Sequence, residues 1–185
     1  MIVVGIDEVG RGCWAGPLVA GAVILSRKPK GLKDSKQLIK PERERLSAII
    51  KERALAFGIG WTDTETIDRI GITAAVKLAM ERALEQIAIM YDEIIIDGNH
   101  NFMAENPKAR VVIKADTSVP AVSAASIIAK VARDNYMAEI AAEYPGYGFE
   151  QHVGYGTLMH RERLKLHGVS SLHRQSFKPI RALLQ

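Results

Sequence analysis

Three apolar, β-branched runs in this chain each lead into an aspartate, and that recurrence is its strongest chemical signal. Ile2-Val3-Val4-Gly5-Ile6 runs into Asp7-Glu8, Glu93-Ile94-Ile95-Ile96 into Asp97, and Arg110-Val111-Val112-Ile113-Lys114-Ala115 into Asp116. Short runs rich in Ile and Val read as buried strands rather than helices. A carboxylate buried at a strand end is costly unless it is paired or bound to a cation, and two in succession also repel each other. A divalent metal turns that repulsion into attraction. The alternative is strands that end at the surface with their acids in water. Clustered carboxylate oxygens suit hard ions, meaning Mg²⁺ or Mn²⁺. Two such ions about 3.5–4 Å apart can activate a water and stabilise the leaving oxygen in phosphodiester cleavage.

Other chemistries fit less well. Gly10-Arg11-Gly12-Cys13-Trp14-Ala15 matches a Gly-x-Gly-x-x-Ala dinucleotide pattern after a strand, with Asp34 at a suitable distance. Asp7 and Glu8 would, however, put negative charge where a pyrophosphate should sit. The chain after Pro17 also continues as an apolar strand, so no helix N-terminus follows to hold phosphates. Gly-x-Ser-x-Gly is absent, and Cys13 lacks the local signature of a nucleophile. His100, His152, His160, His167 and His173 show no zinc-type pairing with cysteine, of which the chain has one.

The elements that must position these acids follow from periodicity. Leu18–Leu25 is a second strand, joined to the first by a short Gly-rich turn and so antiparallel to it. Lys33–Leu38 is a polar loop, and Pro41 opens a helix with Leu46, Ile49, Ile50 and Leu55 on its apolar face. Phe57–Trp61 makes a third strand. From Thr64 the pattern is helical, with Ile72, Val76, Met80, Ala83, Leu84 and Ile87 in one core-facing stripe. Ser118 and Pro120 start a helix reaching about Ala142, whose first half is small-sided enough to lie close against a sheet or a ligand backbone. Lys130, Arg133 and Asp134 fall on its polar positions, which suggests surface ion pairing. Tyr147–Thr157 is a loop of glycines and aromatics, with Thr157 suited to cap the next helix. The tail from Met159 is basic and helical in tendency, either a solvated face or a phosphate-contacting one.

With 185 residues, 48% of them hydrophobic, and no repeats or long linkers, one α/β domain over residues 1–185 is expected, with a small helical C-terminal region from about 158. The net charge of +4 suits an anionic partner such as nucleic acid without requiring one. One cysteine and no membrane-length apolar stretch predict a soluble cytoplasmic protein.

The ordered motifs also match a known family. Asp7-Glu8-Val9-Gly10-Arg11-Gly12, Asp34-Ser35-Lys36-Gln37-Leu38, Ile96-Asp97-Gly98-Asn99, Lys114-Ala115-Asp116 with Ala124–Asp134, Gly154-Tyr155-Gly156-Thr157, and His173-Arg174-x-Ser176-Phe177 occur in order along nearly the whole chain. In these the chain resembles ribonuclease HII, with Val9 where the family usually has Ala. The resemblance implies a ribonuclease H-like fold: a central mixed five-stranded sheet with its first three strands antiparallel, helices on both faces and a helical C-terminal region. It implies cleavage of RNA in RNA–DNA hybrids and 5′ of single ribonucleotides in duplex DNA, leaving a 3′-hydroxyl and a 5′-phosphate. Asp7, Glu8, Asp97 and Asp116 match the catalytic, metal-binding carboxylates for two divalent ions, Mg²⁺ or Mn²⁺. Gly10, Arg11 and Gly12 match the loop that reads the ribose 2′-hydroxyl, Tyr155 the tyrosine that stacks at the RNA–DNA junction, and Lys36 a phosphate-contacting lysine. A monomer is expected, and no clamp-binding tail is evident. Glu8 is the awkward member, because consecutive strand residues point to opposite faces and its convergence with Asp7 needs the strand to end or twist. A junction resolvase of the same fold, cutting all-DNA substrates, and a binding module without catalysis are the alternatives.

Overall fold

Strands form where the β-branched runs place them. In the computed structural model, which describes residues 1–185, β1 (Val3–Val9), β2 (Leu18–Leu25) and β3 (Ala54–Thr62) make an antiparallel meander. β4 (Glu93–Asp97) pairs parallel with the other side of β1, and β5 (Ala109–Val112) parallel with β4. The result is one five-stranded sheet of order β3-β2-β1-β4-β5, the mixed sheet that the resemblance implies.

Helices cover both faces. α1 (Lys40–Arg53) has Pro41 in its first turn and buries Leu46 and Ile50. It passes into β3 without a loop, so β3 starts earlier than expected and Leu55 is an exposed strand residue. The helical stretch from Thr64 is two helices, α2 (Thr64–Ile70) and α3 (Ile72–Leu84), separated at Gly71, whose φ of 78° breaks the first and caps the second. α2 and α3 pack Ile67, Val76, Ala79 and Met80 against Ile6, Ala20, Ala22, Ile94 and Ile96 on one face of the sheet. The other face meets α1 and the long α5 (Pro120–Ile140) through Val23, Leu46, Ile50, Ala124, Ile127 and Ile128. Between β5 and α5 lies the single turn α4 (Ala115–Ser118). Beyond α5, the short α6 (Phe149–His152), α7 (Leu158–His167) and α8 (Lys178–Arg181) form the helical C-terminal region. Thr157 caps α7 as its position predicts, accepting from His160 N at 3.2 Å. No helix is long and apolar enough to cross a membrane.

The small-sided half of α5 lies on the sheet. Ala121 through Ala129 are all buried, and the helix backbone touches strand glycines directly. A Cβ on Gly5 would fall 2.2 Å from the Ala121 carbonyl carbon and the Val122 nitrogen, and one on Gly21 2.4 Å from the Ala125 oxygen. This close approach brings the first two turns of α5 to the end of β1, where Asp7 lies. Gly5→Ala should therefore lower the unfolding free energy by about 1–3 kcal/mol, the usual scale of overpacking. Gly12→Ala, where a Cβ meets nothing within 4 Å, should change it by less than about 0.5 kcal/mol. Urea denaturation of the two variants checks the contrast.

Candidate active site

The acids gather at one end of the sheet because the strand pairings end unevenly. β1 pairs with β4 only as far as Ile6↔Ile96, while its pairing with β2 continues through Asp7↔Gly21, Glu8↔Ala20 and Val9↔Val19. Asp7 and Glu8 thus sit on a strand whose β4 side is open. β1 neither ends nor breaks between them. The Asp7 carboxylate instead curls forward, its Oδ1 accepting from Glu8 N at 2.9 Å, and both side chains border one cleft. Asp97 closes β4, and its Oδ1 accepts from Ala115 N at 2.7 Å.

Asp116 is a correction to the expected pattern. It does not end a strand: β5 stops at Val112, Lys114 takes the left-handed conformation (φ 56°, ψ 39°), and the chain turns into α4, whose second residue is the buried Asp116. Its Oδ2 lies 3.5 Å from Lys36 Nζ.

A cleft of about 310 Å³ collects most of the predicted residues: Asp7, Glu8, Gly10, Arg11, Gly12, Lys36, Asp97 and Tyr155. Asp116 does not border it directly and is connected to it through Lys36. Five residues that sequence reasoning did not place there also line it, namely Val9, Ser35, Arg43, Ser126 and Lys130. Ser35 and Ser126 stood inside quoted motifs, which was their only signal. Their hydroxyls lie 3.0 Å apart, linking the loop after β2 to α5. Arg11 NH1 stands 3.6 Å from Glu8 Oε1. Tyr155 presents a ring to the cleft with Lys130 Nζ 5.8 Å from its centroid.

The basic residues behind the cleft depart from expectation. Lys130 and Asp134 do pair, at 2.7 Å, but Arg133 is buried and donates to backbone carbonyls. The tail is not a uniform solvated helix either. α7 ends at His167, and His160, His173 and Arg174 are buried. His160 Nε2 and His173 Nε2 lie 3.0 Å apart, and His160 Nδ1 faces the Tyr155 carbonyl oxygen at 2.9 Å. Burial lowers both imidazoles to about 4. Cys13 is buried as well.

Comparison with known proteins identifies the family of the chain. The family model for ribonuclease HII matches residues 4–180. The chain belongs to the ribonuclease HII family. A ribonuclease HII of Nitrosococcus oceani is 46% identical over 185 residues, covering 99% of this chain and 92% of that one. The crystal structure of ribonuclease H2 from Pyrococcus horikoshii superposes with a TM-score of 0.82 at 28% identity, covering 99% of this chain and 97% of the other. Ribonuclease HII of Archaeoglobus fulgidus, solved in complex with PCNA, gives a TM-score of 0.82 at 26% identity over 96% of each chain. The fold is therefore ribonuclease H-like, and as a ribonuclease HII the chain is a metal-dependent nuclease that hydrolyses phosphodiesters.

The site's electrostatics fit the divalent metal of such a nuclease. Burial, then the neighbouring charge of Glu8, raises Asp7 from 3.8 to about 8, with Ser126 opposing and Asp97 adding to the rise. Burial also lifts Glu8, against the pull of Arg11. The only cation at Asp116 is the ammonium of the largely exposed Lys36. As they stand, no three acidic, histidine or cysteine side chains are grouped closely enough to hold a metal ion, so the acids would have to draw together around one. Oxygen donors alone, two of them held above their usual range by burial and then by neighbouring acids, are what a hard cation relieves.

Asp7 binds a proton when folded that the unfolded chain releases between 3.8 and about 8, so metal-free stability falls as pH rises through that window. His160 and His173 act oppositely, costing stability as pH falls from 6.5 toward about 4. In EDTA, Asp7→Asn should abolish the loss between pH 6.5 and 8 and exceed wild type in melting temperature at pH 8, by about 2–4 °C per kcal/mol gained. Added Mg²⁺ should stabilise wild type more than the variant. Thermal melts across pH, with and without metal, measure both.

Proposed function

We propose that the chain is an endoribonuclease that cuts RNA in RNA–DNA hybrids and also 5′ of single ribonucleotides embedded in duplex DNA, leaving a 3′-hydroxyl and a 5′-phosphate. Residues 1–185 act as one catalytic unit. What supports this reading is the meeting, in one cleft, of Asp7, Glu8 and Asp97, the Gly10–Gly12 loop and the face of Tyr155, with Asp116 reaching it through Lys36. A general phosphodiesterase needs the acids; a reader of ribose in a duplex also needs the others.

Asp7, Glu8, Asp97 and Asp116 would hold two Mg²⁺ or Mn²⁺ ions. Bound there, such ions supply activation of a water and stabilisation of the leaving oxygen. Gly12 is exposed with space around its Cα, so the backbone of the Gly10–Gly12 loop can approach a sugar closely. Tyr155 is 38% exposed, and its ring offers a flat apolar face to a base. Its hydroxyl stays protonated, pushed by burial and then by Cys13 up to about 12. Lys36, Arg43 and Lys130 give the cleft positive charge for phosphates. Selection for 2′-hydroxyl over hydrogen follows from hydrogen bonding, because a missing hydroxyl leaves polar groups of the site unpaired, a discrimination that can reach about 10⁴.

A labelled duplex with one ribonucleotide, beside an all-DNA duplex, tests the reading. With Mg²⁺ or Mn²⁺ the protein should nick only the first, 5′ of the ribonucleotide. EDTA or Asp7→Asn should abolish the cut. Cutting of the all-DNA duplex would instead indicate a nuclease that ignores the ribose. Tyr155→Ala, which removes the stacking face, should reduce cutting at the single ribonucleotide while Mg²⁺ affinity, read by calorimetry, stays unchanged. A large loss of Mg²⁺ affinity would refute the role given to Tyr155.

A further inference from the structure

Behind the cleft lie two fully buried arginines with no carboxylate hydrogen-bonded to either. Arg133, on α5, and Arg174, in the segment after α7, are each 0% exposed. Arg133 donates from Nε to Pro17 O at 2.8 Å, from NH2 to Ala15 O at 3.1 Å and from NH1 to Val153 O at 2.8 Å. Arg174 donates from Nε and NH2 to Gly16 O at 3.0 and 2.8 Å, and from NH1 to Arg11 O at 3.3 Å. Every one of these acceptors lies in one of two segments, residues 11–17 or residue 153. These are the segments that carry the Gly10–Gly12 loop and Tyr155.

The same segments also hold each other. Trp14 N donates to Gly154 O at 2.8 Å and Arg174 N to Trp14 O at 2.8 Å. Gly10 leaves room for the guanidinium, since a Cβ there would lie 2.4 Å from Arg133 Nε; at Gly16 and Gly154 a Cβ would first meet Met137 Sδ at 2.3 Å and Ala15 O at 2.2 Å, with Arg133 NH2 at 3.3 Å from each. A Cβ on Gly156 would strike the Trp14 ring at 2.3 Å. Burying a charge with no counter-charge is a poor route to stability, since apolar replacements of buried charges are often neutral or stabilising. A guanidinium does one thing that an apolar side chain does not. Its rigid fork of donors fixes several carbonyls at set angles to one another. Burial lowers Arg174 to about 10, which leaves it charged and donating at neutral pH.

We propose that Arg133 and Arg174 are positioning residues that brace the Gly10–Gly12 loop against the Tyr155 loop, and thereby set the enzyme's ability to act at a single ribonucleotide. The inference rests on the reading that these two loops meet the same nucleotide. A continuous hybrid presents a 2′-hydroxyl in every register, so a displaced loop can settle on a neighbouring ribose. A lone ribonucleotide presents one, and both loops must reach it together.

The chain has two tryptophans, and Trp14 lies between the braced segments while Trp61 packs on Tyr136 in β3. In a Trp61→Phe parent, Trp14 fluorescence therefore reports the loop junction without substrate or metal. Arg133→Lys and Arg174→Lys keep the charge and lose the fork. Each should raise acrylamide quenching of Trp14 and cut kcat/KM on the single-ribonucleotide duplex roughly 10- to 100-fold more than on a continuous hybrid, the scale of a misplacement of about 1 Å. Equal losses on both substrates, a selectivity loss without a Trp14 change, or a Trp14 change without a selectivity loss would each overturn the proposal. So would failure of both variants to fold, since the arginines would then be determinants of folding. A parent that does not cut the single-ribonucleotide duplex would refute the proposed function, while the Trp14 comparison would still judge the brace.

Discussion

Asp7 carries the constraint on which the rest depends. Its carboxyl is enclosed at the open edge of β1, beside Glu8 and within range of Asp97, and burial with those charges raises it to about 8. Near neutral pH it holds a proton unless a cation relieves it. That cost recurs in the surroundings: Arg11 stands against Glu8, Lys36 against Asp116, and Asp97 accepts the Ala115 amide. Each arrangement offsets part of the repulsion, and the two cationic partners, Arg11 and Lys36, are largely exposed side chains.

The fold delivers that group through close backbone contact. Gly5 and Gly21 let α5 lie directly on β1 and β2, which carries Ser126 and Lys130 to the cleft. Farther along, the same helix supplies Arg133, whose side chain reaches back beneath residues 15–17. One helix thus borders the acids on one turn and braces the candidate ribose-reading loops on another. The C-terminal region completes the brace through Arg174, and His160 supports the Tyr155 carbonyl.

Much of this was legible in the residues. The β-branched runs gave the strands, and the turn between Gly10 and Pro17 gave the antiparallel pairing of the first two. The repeated aspartates pointed to Asp97 at the end of β4 and to Asp7 close to the end of β1, although that strand runs on through Glu8 and Val9. Asp116 was legible as a member but not in its setting, because Ile113-Lys114-Ala115 reads as continuing strand and nothing local announces that Lys114 adopts positive φ. The basic C-terminal stretch was least legible. Arg133, Arg174, His160 and His173 look like surface residues because their partners are backbone carbonyls or one another, which leave no charge complement in the sequence. A buried arginine that answers carbonyls cannot be told from a solvated one by spacing.

Calorimetric titration of metal-free protein with Mg²⁺, in buffers of different ionisation enthalpy, tests most directly whether the acids are held for a cation. Metal entry requires deprotonated ligands, so binding at pH 7 should release about one proton per protein, and the release should fade as pH rises past the Asp7 value of about 8. Binding with no proton release at pH 7 would mean that Asp7 is already ionised there without metal, and would contradict the account.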